Sequence, residues 1–187
     1  MADTLLERTP RDKLSGDARM AWDMLNKLTE EPTFVEVFAN APELLDFVMQ
    51  RFYGDIFFAG RVDQKYKQLA RLRLSQIHGC RTCNRQNVPA ALESGVSQAQ
   101  VDAMNEGDYS SFSEAEAAVL QFAEQMALTN TEGRLDEDLY ARLSRHFSTA
   151  EICELGTVMA VVGGFAKLSF VMDLVEREDY CPFAMGH

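Results

Sequence analysis

The chain reads as all-α, and three observations carry that reading. Apolar residues recur at helical spacing through nearly every segment, and Ser or Thr stands three positions ahead of Glu or Gln at successive segment starts. No stretch alternates apolar and polar residues as a half-buried strand would, and no useful repeat or low-complexity segment appears. The 187 residues are enough for one well-buried core and too few for two large ones, so a single domain is expected over 1–187. Its ends read as an N-terminal extension over about 1–17 and a C-terminal tail over about 177–187.

The elements follow in order. Residues 18–28 and then 33–54 carry helical periodicity, with Thr33 and Glu36 spaced as a capping box and Pro42 suited to a first turn. Residues 62–77 repeat Leu69, Leu72 and Ile77 with basic residues between them, and Gly79 supplies a stop. A new helix then starts at Cys80, runs to about Glu93 and ends at Gly95. Ser97 with Gln100 caps a short helix through Met104. Ser113 with Glu116 caps an amphipathic run whose inward residues are Val119, Leu120, Phe122, Ala123, Met126 and Ala127. Residues 130–133 end it, 135–143 form another short helix, and Ser148 with Glu151 caps a long one extending to Val175. Gly163 and Gly164 inside that helix weaken it in isolation and predict a tight helix crossing or a subunit contact.

Charge and composition exclude several function classes. The 29 acidic against 18 basic residues give a formal charge of -11, which opposes a nucleic-acid backbone. The start lacks an apolar targeting core, and the weakly polar stretch 155–166 is too short to span a bilayer, so no membrane partner is expected and the cytoplasm is the expected location. Ordinary thiols stay reduced there, which makes a close cysteine pair catalytic, metal-binding or transiently oxidised rather than a permanent staple.

That pair is Cys80 and Cys83, separated by Arg81 and Thr82. Positions three apart share a helix face, so the two thiols can cycle between dithiol and disulfide. Unpaired amides at a helix start favour thiolate at Cys80, and Arg81 and Arg85 add local positive charge. Zinc would need further ligands, and neither metal nor cofactor is expected. A thioredoxin fold would need strand–helix–strand patterning around this motif, which is absent.

The segment 68–83, from Gln68 through the His78-Gly79 turn to Cys83, resembles the signature of the AhpD-like alkylhydroperoxidase and carboxymuconolactone decarboxylase superfamily, over most of 41–175. The resemblance implies an AhpD-like helical fold, assembly as a homo-trimer or homo-hexamer, a hydroperoxide substrate and an external thiol or dithiol reductant. It also implies that Cys83 attacks and Cys80 resolves. The glutamate and histidine relay of the peroxidase branch falls here on Gln68 and Asn87, amides that orient water or donate hydrogen bonds but do not titrate.

Other titratable candidates rank lower. His78, two residues before Cys80 across a glycine, is a candidate proton carrier or a turn residue capping a carbonyl. His146 reads as a surface residue and His187 as terminal. Glu151 belongs to a cap, which leaves Glu154 as the more open candidate for a pocket carboxylate. Cys153 is expected to be buried; Cys181 is expected to be exposed or to join thiol exchange. Phe52, Phe57 and Phe58 fit ordinary packing, with a pocket wall or subunit seam as the alternative. The leading function is a thiol-dependent oxidoreductase, a weak hydroperoxidase cycling through a Cys80–Cys83 disulfide. A noncatalytic helical oligomer for ligand binding or assembly is the alternative, and a carboxymuconolactone decarboxylase-like enzyme ranks below both.

Overall fold

In the computed structural model, which describes residues 2–183, nine α-helices, one π-helical segment and a single 3-10 turn (Arg11–Lys13) account for the regular structure of those residues. The elements are α1 (Gly16–Thr29), α2 (Thr33–Phe38), α3 (Pro42–Asp46), the π-helix (Phe47–Phe58), α4 (Gln64–His78), α5 (Arg81–Glu93), α6 (Gln98–Asn105), α7 (Glu114–Gln125), α8 (Glu137–Ser144) and α9 (Thr149–Val171). Strand-like pairing among the described residues is limited to an isolated antiparallel bridge between Cys80 and Arg177.

Central α4 packs against α5, α7 and α9, because its residues are apolar or buried around most of its circumference. Leu74 joins α7 residues Val119 and Ala123 and α9 residues Leu155 and Met159 in one cluster, while Leu69 and Leu72 join Ala91, Met104 and Leu120 in another. Removal of these side chains from water is the main favourable contribution to such a fold.

The starts of α6, α7 and α9 are capping boxes as expected, each with the Ser hydroxyl on the third backbone N–H and the Gln or Glu reaching back. Pro42 occupies the first turn of α3. The Thr33–Glu36 box does not form. Thr33 gives its hydroxyl and backbone N–H to Glu31, whereas Glu36 accepts from the Trp22 indole at 2.8 Å and from Arg8. A local pair has here yielded to tertiary partners. The expected helix over 33–54 is likewise broken at residues 39–41 and resumes as α3 and the π-helix, reaching Phe58.

Two expectations about α9 need correcting. It stops at Val171 rather than Val175, since Leu174 is fully buried and its N–H turns back to Ser169 O at 2.9 Å. Beyond the backbone of its own turns, no described atom lies within 4 Å of a Cβ placed at Gly163 or Gly164, so no other described helix crosses tightly there, which leaves the subunit contact as the expectation. At 23 residues, α9 has the length and composition to cross a membrane, unlike the shorter stretch read from sequence; Leu155, Val158 and Met159 are nevertheless buried in the helical core.

The N-terminal extension lies across the molecule. Thr9 N–H reaches Glu36 O at 2.9 Å, Arg11 pairs with Asp23 at 2.6 Å, and Leu14 is buried beside Ala21 and Val35.

Candidate active site

Helix α4 ends because Gly79 turns left-handed, with φ +63°, and its N–H and that of Cys80 close on Gln76 O and Ser75 O at 3.1 Å each. A Cβ at Gly79 would lie 2.6 Å from Cys181 Cα, so glycine serves both the turn and the close approach of the C-terminal segment. Cys80 then adopts extended backbone as the N-cap of α5. Its Sγ accepts the Cys83 N–H at 3.2 Å, a position that favours negative charge on sulfur.

Cys80 and Cys83 are joined by a disulfide with Cα atoms 5.2 Å apart. Their access differs: Cys80 is fully buried, whereas Cys83 is partly exposed.

Residues 174–183 form a strap across this turn. Arg81 N–H donates to Glu176 O at 3.0 Å, Glu178 N–H to Gly79 O at 2.8 Å, and Glu176 N–H to the Thr82 hydroxyl at 2.9 Å. The guanidiniums of Arg81 and Arg85 point to the strap's carboxylates, Arg81 to Glu178 at 3.1 Å and Arg85 to Glu176 at 3.4 Å. Much of their charge is thus answered by the strap. Cys181 is buried in a cluster with Cys80 and Phe170 rather than exposed.

A largely apolar pocket of about 740 Å³ opens beside the pair, walled by α1, the π-helix, α4, α5 and α9. Gln68, His78, Cys80, Cys83 and Asn87 all line it, so the fold brings the five sequence candidates to one cavity. Asn87 is buried and donates its amide to Arg71 O at 3.4 Å, tying α5 to α4. Gln68 is buried, and its Oε1 has no partner among the described residues.

His78 caps no carbonyl with its ring. Nε2 accepts the Leu128 N–H at 3.0 Å, which leaves the proton on Nδ1, and Nδ1 has no partner among the described residues. Burial pushes the imidazole down to about 4, so it is neutral near pH 7.

Other candidates fall elsewhere. Glu154 is a clamp outside the pocket: it accepts the Arg61 and Val62 N–H groups at 3.0 Å each and pairs with fully buried Lys67 at 3.2 Å. Burial pushes its carboxyl up, but those N–H groups and Lys67 outweigh burial and hold it below its usual range. Glu151 closes the α9 cap. His146 is exposed, and His187 lies outside the described residues. Cys153 is exposed instead of buried, because Ile152, Leu155 and Met159 define the inner face of α9 and place it opposite. Phe52 and Phe57 are buried together with Val158, while Phe52 and Phe58 also line the pocket.

The sequence reading missed Arg71, a pocket residue only 4% exposed. Its signal was spacing. Gln64, Gln68, Arg71, Ser75 and His78 follow one another at intervals of four or three, a polar stripe along the face of α4 that meets the pocket.

Residues 42–125 match the carboxymuconolactone decarboxylase family. The uncharacterized protein YdfG of Bacillus subtilis (strain 168) is 24% identical over 114 residues, covering 59% of this chain and 76% of that protein. Among solved structures, an Agrobacterium tumefaciens protein of unknown function, provisionally named as antioxidant defence protein AhpD, superposes with a TM-score of 0.63 at 21% identity, over 72% of this chain and 91% of its own. The debrominase Bmp8 without ligand gives a TM-score of 0.73 at 19% identity, over 95% of this chain and 94% of its own. A cysteine-to-alanine variant of Bmp8 in complex with 2,3,4-tribromopyrrole gives 0.72 at 19% identity, over 95% and 93%. The family match over residues 42–125 and the all-helical fold shared with these solved structures bear out the resemblance of this chain to the AhpD-like and carboxymuconolactone decarboxylase superfamily.

Proposed function

We propose that the protein is a dithiol oxidoreductase that delivers two electrons to a small apolar electrophile, with a hydroperoxide as the leading acceptor. The observation that carries this reading is a bonded cysteine pair on the wall of an apolar cavity, with Cys83 the accessible sulfur and Cys80 the buried one. The Cys83 thiolate attacks a peroxide oxygen, the O–O bond breaks, and the alkoxide leaves as alcohol after taking a proton from solvent. Cys83 is then a sulfenic acid; the Cys80 thiol attacks its sulfur, water departs, and the disulfide forms. An external thiol or dithiol restores the pair by attacking Cys83, with Cys80 leaving as a thiolate steadied by the Cys83 N–H. Gln68 and Asn87 orient reactants and do not relay protons, which makes slow turnover the expectation.

Reduced protein mixed with stoichiometric hydrogen peroxide or cumene hydroperoxide should lose two thiols and gain a Cys80–Cys83 disulfide by mass spectrometry. Cys80→Ser should accumulate a sulfenic acid on Cys83, and Cys83→Ser should stay unreacted. Persistence of both thiols would remove the reading and favour a noncatalytic oligomer.

A second reading follows from the missing relay. The ring carbon that loses bromine takes up the proton of the Cys80 thiol and bromide leaves unprotonated, so this reaction needs no titrating group at positions 68 and 87; a debrominase shares the fold. Aryl bromide, Cys83 thiolate and Cys80 thiol would give the debrominated ring, bromide and the disulfide. Bromide release from 2,3,4-tribromopyrrole by the reduced protein tests it. Lactone decarboxylation ranks below both, because no observation in the pocket favours it.

Self-association and a cytoplasmic setting complete the proposal. Phe47, Phe58 and Val171 are exposed, and the Gly164 side of α9 is uncovered, which supports a homo-trimer or homo-hexamer. Light scattering on the purified chain would decide the number of copies.

A further inference from the structure

Arg71 differs from two other cations of α4. Lys67 pairs with Glu154 at 3.2 Å and Arg73 with Glu124 at 2.6 Å. The Arg71 guanidinium has neither a carboxylate nor a hydrogen-bond acceptor among the described residues, and its Nε is buried without a partner. It rests instead over two rings, 5.1 Å from the Phe57 centroid and 5.9 Å from that of Tyr53. Those faces attract the cation and satisfy none of its five N–H donors.

An unpaired charge at such depth is costly unless something completes it. The pocket that Arg71 lines is otherwise largely apolar, and Gln68, one turn earlier on the same face, also has an unbonded Oε1. Asn87 fixes the Arg71 carbonyl from α5, so the arginine stands on a held backbone.

We propose that Arg71 receives a carboxylate, so that the substrate is an amphipathic acid: an apolar body filling the cavity and one anionic group on the guanidinium. This assignment rests on the reading of the pocket as the substrate site of a dithiol enzyme. The carboxylate supplies the acceptors that the chain withholds, and the aromatic faces of Phe57 and Tyr53 keep the guanidinium in place when the site is empty.

Isothermal titration calorimetry of the disulfide form with 2-naphthoate, 2-naphthylmethanol and methyl 2-naphthoate tests the charge requirement directly. Wild type should bind 2-naphthoate at least about tenfold more tightly than either neutral compound, as a charge-assisted bidentate contact implies. Arg71→Met should bring that ratio close to one, and Arg71→Lys should retain part of it. Equal affinity of wild type for the three probes, no binding of 2-naphthoate, or a preference that survives in Arg71→Met would overturn the assignment; the wild-type comparison decides even if a variant fails to fold. Cumene hydroperoxide carries no anion, so thiol loss in wild type reports on the redox reading separately.

Discussion

The Cys181 thiol donates to the carbonyl oxygen of His78 at 3.1 Å, fastening the C-terminal strap to the residue that precedes the Gly79–Cys80 turn. The strap therefore covers the buried sulfur of the pair and leaves the pocket side to Cys83. Gly79 is the hinge of this arrangement, since Cys181 Cα occupies the space a side chain would need.

Gly79→Ala should destabilise the fold by at least about 2 kcal/mol, through left-handed backbone strain and the clash with Cys181. Thermal unfolding measures the loss. Alkylation of Cys181 by iodoacetamide should accelerate at the same time, because the strap no longer seats; an unchanged alkylation rate would disconnect the glycine from the strap.

His78 makes stability depend on acid. The unfolded imidazole takes up a proton near its ordinary 6.5 and the folded one only near about 4, so protons favour the unfolded chain between those values. Its contribution is complete above pH 6.5, falls as pH drops through that window, and levels off below about 4, for a total of up to about 3 kcal/mol. His78→Gln keeps an acceptor for Leu128 N–H and does not titrate. Urea unfolding of both proteins at pH 7.5 and pH 4.5 should show a smaller acid loss in the variant, and parallel losses would contradict the assignment.

The Lys67–Glu154 clamp predicts unequal mutants. Either truncation breaks a buried pair, typically about 3–5 kcal/mol, but Glu154 also holds the Arg61 and Val62 N–H groups. Glu154→Leu should accordingly lower the melting temperature more than Lys67→Met. The reverse order would mean that the lysine charge, not the turn, is what the carboxylate serves.

Restoring a titrating relay should quicken the proposed chemistry. Gln68→Glu with Asn87→His places an acid–base pair at two buried pocket positions beside Cys83. The rate of thiol loss under cumene hydroperoxide should rise about tenfold or more, the lower end of what positioned proton transfer supplies. A slower double variant would indicate that the amides serve packing, as Asn87 does on Arg71 O.

Much of this architecture could be read along the chain. The Ser97, Ser113 and Ser148 caps, the Gly79 stop and the helix start at Cys80 are local signals, and each forms as spaced. Thr33 and Glu36 show where that logic ends: both had the right spacing, and both were drawn to Glu31, Trp22 and Arg8. Cys153 and Glu154 failed differently. Neighbours on one helix, they face opposite ways, one to solvent and one to Lys67, and composition around them does not state which face α9 turns inward.

The sequence by itself determined the helices, their caps and the pair of thiols one turn apart, because these depend on residues three or four positions away. Only the tertiary structure decided that Cys80 is covered and Cys83 open, that Glu154 clamps a turn, and that Arg71 stands in the pocket without an acid. Those outcomes depend on which chain segments, separated by up to about a hundred residues in cases such as Cys181 on His78, exclude water from one another. Burial and charge pairing are properties of that packing and not of spacing along the chain.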